Sequence, residues 1–443
     1  MKHLFFTGVI SVLLLTIVSC TPKAETKIPQ GPTEEELELQ RLEQERLVKE
    51  EAVSAYLESL TEAERIGLLF LVNIEGDKTY SAVEKYDGLD LVPGGCLLFS
   101  FNIAKTDEQF MTFIDSIYEY CQSHDIQSFP YIALDQEGGY VNRLRALTST
   151  LPAAQWVSQK ATVQQAFDLY DSQAKQMRLL GITMNLAPVA EVETDDNAQF
   201  LDTRSYGSLE QVNQYARSCV NAYEQNQVLS VLKHFPGNTN VDPHSGLPEI
   251  IVESEQEIQN LIKPFETLVS QTDVSAVLMS HARVSLPDAQ TPSCLSSFWV
   301  NDCLRKTLGF EGLVLSDDIF MAALEKNGFA PLEAAEQALL SGVDIIMLSE
   351  KRFAAVAKQL ASRAEQNPAL ADRIAQAQQN VVRYKIKCGL LTYVQNEDGS
   401  YCVQNAFSYE DLKDSRLVRL TQFREEKKRG QNLYAAILSG EQE

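Results

Sequence analysis

Three residues have the types and the spacing that nucleophilic attack and proton transfer require. In Asp242-Pro243-His244, a carboxylate stands two residues from an imidazole, so it can accept an imidazole N–H and stabilise the imidazolium. Asp317 follows the apolar run 313–315 by two residues, and a carboxylate in that place can act as a nucleophile or stabilise a positive centre. Because imidazoles titrate near neutral pH, such a histidine can both donate and accept a proton.

A nucleophilic carboxylate and a proton-transferring partner are the two groups that retaining hydrolysis of a glycosidic bond requires. The sugar first esterifies the carboxylate, and water then releases it. The usual partner is a second Asp or Glu. Here His244, paired with Asp242, would protonate the leaving oxygen and later deprotonate water.

Eight short apolar runs of the buried-strand type alternate with stretches of helical periodicity. The runs are 66–74, 95–101, 129–134, 182–189, 228–232, 274–279, 312–315 and 343–348. These runs show no alternation between apolar and polar residues, so neither side of each strand faces water. This pattern indicates a parallel sheet covered on both faces. Eight such units predict an α/β fold with a single (β/α)8 barrel. An open doubly wound sheet is the alternative, but segment 74–77 lacks the Gly-rich phosphate turn expected after its first strand.

A barrel places its catalytic groups just beyond the carboxyl ends of its strands. The third run leads into Asp135, the fifth into Lys233-His234 and the sixth into Ser280-His281. The seventh leads into Asp317 and Asp318, and Asp318 is predicted to cap the following helix. Polar side chains at four strand ends therefore predict an active site at this face of the barrel.

Lys233, His234 and Arg204 carry donors suited to hydroxyl groups or an amide carbonyl. Ion pairs that orient loops are an equally good explanation of these residues. No His, Asp or Glu cluster has metal-ligand spacing, and no Walker, HExxH or GxSxG motif occurs, so neither a metal nor another cofactor is predicted. The 38 basic and 61 acidic residues give a formal charge of −23, which argues against nucleic acid as a partner.

The first twenty residues are typical of an export signal. Lys2 precedes an apolar stretch at 4–18 that is short for a membrane-spanning helix. The segment ends at Cys20 and resembles a bacterial lipoprotein signal, in which that cysteine receives the lipid. We therefore expect a signal peptide at 1–19, a polar and charged tether at 20–59, the barrel at 60–391 and a short appendage or flexible tail at 392–443. The chain is expected to be a monomer in the cell envelope, held to a membrane by lipid on Cys20.

Seven segments in the same order resemble the bacterial β-N-acetylglucosaminidases of glycoside hydrolase family 3. The resemblance spans about residues 60–391. The segments are LDQEGG at 134–139, NR at 142–143, LPAA at 151–154, RSYG at 204–207, KHFPG at 233–237, DPHSGLP at 242–248 and LSDD at 315–318.

The resemblance implies a role for each matching residue. Asp317 would be the nucleophile, His244 the acid/base and Asp242 its partner. The N-acetylglucosamine in the −1 subsite would be held by Asp135, Arg143, Arg204, Lys233 and His234. The family works through a covalent glycosyl-enzyme without a cofactor, and it typically removes terminal β-linked N-acetylglucosamine from peptidoglycan fragments.

Two departures from the family pattern lie close to these residues. Asn238 follows Gly237 where the family usually has His-Gly, in a loop about two residues shorter, and Tyr140 stands where an Arg is common. Two alternatives to hydrolysis stay open. A histidine acid/base leaves room for phosphate to attack the sugar, which would make the chain a phosphorylase. The shortened loop would also fit a glycan-binding envelope lipoprotein without catalysis.

Overall fold

A computed structural model describes residues 33–440 of the chain, except for the side chain of Glu35. Cys20 and the signal peptide lie outside these residues, so the lipid attachment stays a prediction. Two compact units divide the chain, Met1–Leu47 and Val48–Glu443. The described part of the first unit is Thr33 followed by the first residues of the helix Glu34–Ser59. The second unit contains the end of that helix and everything that follows.

Eight parallel strands form the centre of the second unit. They are β1 (Phe70–Asn73), β2 (Gly95–Leu97), β3 (Tyr131–Leu134), β4 (Met184–Asn185), β5 (Leu229–Phe235), β6 (Ala276–Met279), β7 (Leu313–Leu315) and β8 (Ile346–Leu348). Their order is β7-β6-β5-β4-β3-β2-β1-β8. Leu315 and Ile345 form a parallel bridge between the two edge strands, and the Ser316 amide donates to the Ile345 carbonyl at 2.9 Å. The sheet thus closes on itself, and the predicted barrel is confirmed.

Every residue of these eight strands is buried. Side chains on one face fill the barrel and those on the other face meet the surrounding helices, so both faces are mostly apolar. This is why the strands were recognisable as unbroken apolar runs. The first run is wrong at its start, because Ile66 belongs to the helix Glu62–Gly67. Thr61 and Glu64 form a capping box that starts this helix, and β1 begins only at Phe70.

Helices and short strand pairs surround the barrel. The other α-helices are Asp107–Ser123, Ala154–Lys160, Val163–Leu179, Ala198–Leu201, Leu209–Gln211, Arg217–Glu224, Glu255–Gln271, Ala322–Glu325, Pro331–Leu340, Ala354–Gln366, Pro368–Lys387 and Tyr409–Ser439, with π-helical stretches at Val212–Ala216 and Phe298–Thr307. Strand pairs join Lys85–Tyr86 to Leu89–Asp90, Gln136–Gly138 to Val141–Asn142, Glu249–Ile250 to Arg283–Val284 and Leu391–Gln395 to Tyr401–Asn405. Among the described helices, none combines the length and apolarity that crossing a membrane requires.

The two segments expected to flank the barrel pack against it. Val53, in the predicted tether, is fully buried, and the Tyr56 hydroxyl donates to the Gln127 carbonyl at 3.2 Å. The predicted appendage forms the hairpin 391–405 and a helix of 31 residues, Tyr409–Ser439, which we call the C-terminal helix. It lies on the helices Asp107–Ser123 and Val163–Leu179. Residues 391–439 therefore form a hairpin and a packed helix rather than a flexible tail.

Ion pairs fix the C-terminal helix in place. The guanidinium groups of Arg416 and Arg419 bind the Asp115 carboxylate at 2.8 and 2.7 Å, and that carboxylate is 1% exposed. Further along the helix, Arg429 binds Asp171 at 3.0 Å. Asp115 and Asp171 belong to the two barrel helices beneath it. Without the helix, the buried Asp115 carboxylate would be left uncompensated, whereas Asp171 would keep its ion pair with Lys175 at 2.8 Å.

The C-terminal helix also supports a loop of the barrel face. Gly430 lies directly against the side chains of Ser149 and Ser172. The Ser149 amide donates to Gln176 at 2.8 Å, and two residues later the Leu151 carbonyl accepts the Gly139 amide at 3.0 Å. The C-terminal helix thus packs against segment 149–153, and this segment is hydrogen-bonded to the hairpin 136–142.

We expect Gly430→Val to destabilise the protein. A Cβ at this position would overlap Ser149 Oγ and lie 2.8 Å from Ser172 Oγ, and overpacking of this kind costs about 1–3 kcal/mol. The free energy of unfolding in urea should fall by that amount. Ala435→Val is the matched control, because Ala435 is exposed on the same helix. Equal losses in the two variants would contradict the packing argument.

Candidate active site

A cavity of about 620 Å³ opens at the carboxyl ends of the strands. All eight residues predicted for catalysis or sugar binding line it: Asp135, Arg143, Arg204, Lys233, His234, Asp242, His244 and Asp317. They come from the ends of β3, β4, β5 and β7 and the loops that follow. The barrel topology therefore brings together residues that are up to 182 positions apart (317 − 135).

A charge network forms the floor of the cavity. The Lys233 ammonium contacts Asp135 at 2.8 Å and Glu137 at 2.7 Å. Arg204 binds Glu137 through two parallel hydrogen bonds of 2.8 and 2.9 Å, and Arg143 reaches Asp135 at 3.3 Å. The three basic side chains therefore form ion pairs that orient loops, as the alternative explanation expected. These ion pairs also hold their remaining N–H groups at fixed positions.

Ionisation of this network follows from its geometry. Burial would raise the pKa of Glu137, but the positive charges of Lys233 and Arg204 outweigh it and lower the pKa to about 2. For Asp135, burial acts in the same upward direction, and Lys233 and Arg143 lower its pKa nonetheless. Burial would lower the pKa of Lys233, yet Asp135 and Glu137 raise it. All these groups are thus charged at neutral pH.

His234 is oriented by a residue that sequence reasoning missed. Its Nδ1 lies 2.6 Å from Glu191 Oε1, and both side chains are almost fully buried. The Asn238 amide donates to the same oxygen at 3.2 Å and accepts from Ser280 Oγ at 2.9 Å. With Nδ1–H directed to Glu191, the Nε2 of His234 is the nitrogen left for a ligand.

His244 and Asp242 form the pair that their spacing predicted. Asp242 Oδ1 lies 2.8 Å from His244 Nδ1 and accepts the His244 backbone amide at 2.9 Å. Burial would raise the pKa of Asp242, but these two bonds to His244 lower it. Both side chains are exposed at the cavity mouth, His244 by 73%. Accordingly, Asp242 acts as the ionised acceptor, and His244 Nε2 is the nitrogen that can exchange a proton with a substrate.

The loop that carries His244 is anchored to its neighbours on both sides. The Asn240 side chain donates to the Asp195 carbonyl at 2.9 Å and accepts the Gln199 amide at 2.7 Å. Beyond it, the Pro243 carbonyl accepts the Ala323 amide at 3.1 Å. Together with the bonds of Asn238, they hold the shortened loop against the segments that follow β4 and β7. The departure at Asn238 therefore still leaves the loop at the cavity.

Asp317 lies two residues after β7 and is 9% exposed, and its Oδ1 accepts the Asp318 amide at 2.8 Å. The prediction for Asp318 is wrong. Its Oδ1 accepts the Phe320 amide at 3.0 Å, and the residue before the helix Ala322–Glu325 is Met321. Asp318 thus makes a local turn and lines the cavity beside Asp317.

His281 stands behind the cavity. It is fully buried, and its Nε2 lies 2.9 Å from the Asp318 carbonyl while its Nδ1 lies 3.2 Å from Cys294 Sγ. Because a carbonyl oxygen only accepts hydrogen bonds, Nε2 must carry a hydrogen and donate it to the Asp318 carbonyl. His281 therefore fixes the backbone that presents Asp317 and Asp318.

Two residues of the site, Glu137 and Glu191, were not predicted. Glu137 stands within the recognised LDQEGG segment that follows β3, so this segment could have been used to predict it. Glu191 follows β4 without any neighbouring motif, and its partner His234 is 43 positions away. Its role depends on a tertiary contact that spacing does not reveal.

Comparison with known proteins gives a consistent result. The family described as "Glycosyl hydrolase family 3 N terminal domain" matches residues 64–384. A beta-hexosaminidase of Psychromonas ingrahamii is 31% identical over 296 residues, which cover 65% of this chain and 84% of that protein. Beta-hexosaminidase A of Pseudoalteromonas piscicida is 27% identical over 321 residues, which cover 66% of this chain and 53% of the relative. The chain thus spans about half the length of this second relative.

A solved structure shares the fold. The Mycobacterium tuberculosis protein LpqI superposes with a TM-score of 0.63 at 28% identity, over 74% of this chain and 94% of that one. The superposition agrees with the closed parallel barrel described above.

We expect Glu137→Gln to reduce the sensitivity of stability to acid. A carboxyl whose pKa is about 2 when folded and 4.5 ordinarily contributes stability above pH 4.5 and loses it as the pH falls toward 2. Between pH 6 and pH 3, wild type should therefore lose about 2 kcal/mol more than the variant in urea unfolding. Glu397→Gln, at an exposed turn, should behave as wild type. Parallel losses in all three proteins would contradict the charge assignment.

Proposed function

Because the chain belongs to glycosyl hydrolase family 3, we propose that it hydrolyses terminal β-linked N-acetylglucosamine from glycans with retention of configuration. Two of its relatives carry the name beta-hexosaminidase, which supports this choice of sugar. Peptidoglycan fragments are the glycans we propose, since the lipoprotein-like signal ending at Cys20 would put the enzyme in the cell envelope. The chain's own residues are sufficient for the chemistry proposed.

One observation carries the proposal: a buried carboxylate and a carboxylate-paired imidazole share one cavity. Asp317 lies at its wall, and the Asp242–His244 pair lies at its mouth. The bond between Ala323 and Pro243 connects the loops that present the two groups. A nucleophile and a proton donor on opposite sides of one scissile bond are what the retaining reaction requires.

In the first step, an Asp317 oxygen attacks the anomeric carbon and forms a C–O bond while the glycosidic C–O bond breaks. The electron pair of the broken bond stays on the leaving oxygen, which takes the Nε2 proton of the His244 imidazolium. Asp242 keeps the Nδ1–H oriented and stabilises the imidazolium before transfer. The products are a glycosyl ester of Asp317 and the free leaving alcohol.

In the second step, water attacks the same carbon and displaces the Asp317 carboxylate. His244, now neutral at Nε2, takes the proton from that water and returns to its starting state. Two inversions give a product with the original configuration. Throughout, the fixed donors of Lys233, Arg204 and His234 would bind the hydroxyl groups of the sugar in the −1 subsite.

The assignment of Asp317 predicts a covalent intermediate. Wild type should hydrolyse an aryl β-N-acetylglucosaminide much faster than the matching β-glucoside or β-xyloside, and a fluorinated mechanism-based sugar should add its mass to the intact protein. Asp317→Ala should lose more than 10³-fold in kcat and gain no mass. Asp302→Asn, on an exposed helix position, is the control. Near wild-type turnover in Asp317→Ala would refute the nucleophile, and a preference for the glucoside would refute the sugar.

The role of His244 predicts a dependence on the leaving group. In His244→Ala, an activated aryl leaving group needs little protonation, so kcat/KM should fall modestly. For a sugar or alkyl leaving group the fall should reach about 10²–10⁴-fold. Measuring kcat/KM for both substrate types separates these outcomes. Equal losses on both would indicate that His244 only supports the loop.

A further inference from the structure

The cavity has a buried lower part and an open upper part. The floor side chains of Glu137 and Lys233 are each 4% exposed, whereas Tyr140 is 48% and His244 73% exposed. A volume of about 620 Å³ lies in the range that holds a drug-sized ligand. In the proposed function, the charged floor binds one sugar ring. The upper part of the cavity then has room for the group attached to that ring.

A continuous wall links Tyr140 to the loop of His244. β3, β4 and β5 are neighbours in the barrel, and their loops supply Tyr140, Phe200 and His244 in that order. Between the first two lies Arg204, whose guanidinium is 5.4 Å from the centre of the Phe200 ring. Asn240 accepts the Phe200 amide at 3.3 Å, which fastens this wall to the catalytic loop.

The backbone of Tyr140 is held in place by hydrogen bonds, while its ring is about half exposed. It occupies the tip of the hairpin formed by Gln136–Gly138 and Val141–Asn142. Its carbonyl accepts a hydrogen bond from Arg145, and the preceding Gly139 amide donates to Leu151 at 3.0 Å. The ring is about half exposed at the cavity mouth, and its hydroxyl interacts with the Arg204 guanidinium. Its exposed face is available to a ligand.

We propose that Tyr140 forms the leaving-group subsite and stacks on a pyranose ring in the +1 position. The proposal rests on the hydrolase function above, because His244 must stand beside the leaving oxygen and so places the leaving group in the upper part. The carbon-bound hydrogens on one face of a pyranose pack on an aromatic ring as another ring edge does. Phe200 packs against His234, with ring centres 6.1 Å apart, and serves as the boundary between the two subsites.

The test compares two substrates that share the −1 sugar. N,N′-diacetylchitobiose offers a pyranose leaving group, and methyl N-acetyl-β-glucosaminide offers only a methyl group. Tyr140→Ala should lower kcat/KM about fivefold on the disaccharide, mainly through KM, and change the methyl glycoside less than twofold. Tyr140→Phe should retain the wild-type ratio, because the ring and not the hydroxyl makes the contact.

Phe101→Ala is the matched control, since Phe101 is 57% exposed at the same barrel face and lies outside the lining of this cavity in the described structure. If Tyr140→Ala left the ratio of kcat/KM between the two substrates unchanged, the stacking assignment would be overturned. If wild type turned over neither substrate, the hydrolase proposal would fail instead. Calorimetric binding of the disaccharide would then test stacking alone, with about fivefold weaker binding to Tyr140→Ala expected and equal binding contradicting it.

Discussion

The buried ammonium of Lys233 is the charge around which the site is organised. It lies between the carboxylates of Asp135 and Glu137, which follow β3, whereas Lys233 belongs to β5. An ammonium taken out of water is unfavourable unless anions surround it, and each carboxylate is unfavourable without the cation. Arg204 and Arg143 complete the compensation. The network therefore holds several loops in one arrangement before any substrate enters.

This preorganisation extends to the groups proposed for chemistry. Glu191 fixes His234, Asp242 fixes His244, and His281 holds the backbone next to Asp317. In each case a second polar group holds the first group, or its backbone, in position. Asn238 and Asn240 use side-chain amides to hold a loop that differs from the family pattern. A shorter loop can thus present the same imidazole, provided that its backbone is bonded at both ends.

The sequence allowed the barrel to be predicted because burial on both faces leaves unbroken apolar runs, as at Tyr131–Leu134. It also allowed the rim residues to be predicted, because polar groups directly follow those runs. Glu191 could not be predicted in this way, since its role depends on a contact with His234, which lies 43 positions away along the chain. The C-terminal helix was missed for a different reason. It is held by Arg416 and Arg419 on a buried carboxylate, and ion pairs leave little apolar periodicity along a helix.

The C-terminal helix changes what counts as the smallest working unit of this chain. The matched family region ends at residue 384, yet Arg416 and Arg419, which pair with the buried Asp115 carboxylate, lie beyond residue 415. A fragment trimmed at the family boundary would keep every residue proposed to bind the sugar and still leave the Asp115 carboxylate on an outer helix without its two cations. It would also leave the backing of the Tyr140 hairpin unsupported. In engineering this barrel, the last helix is best treated as part of its wall.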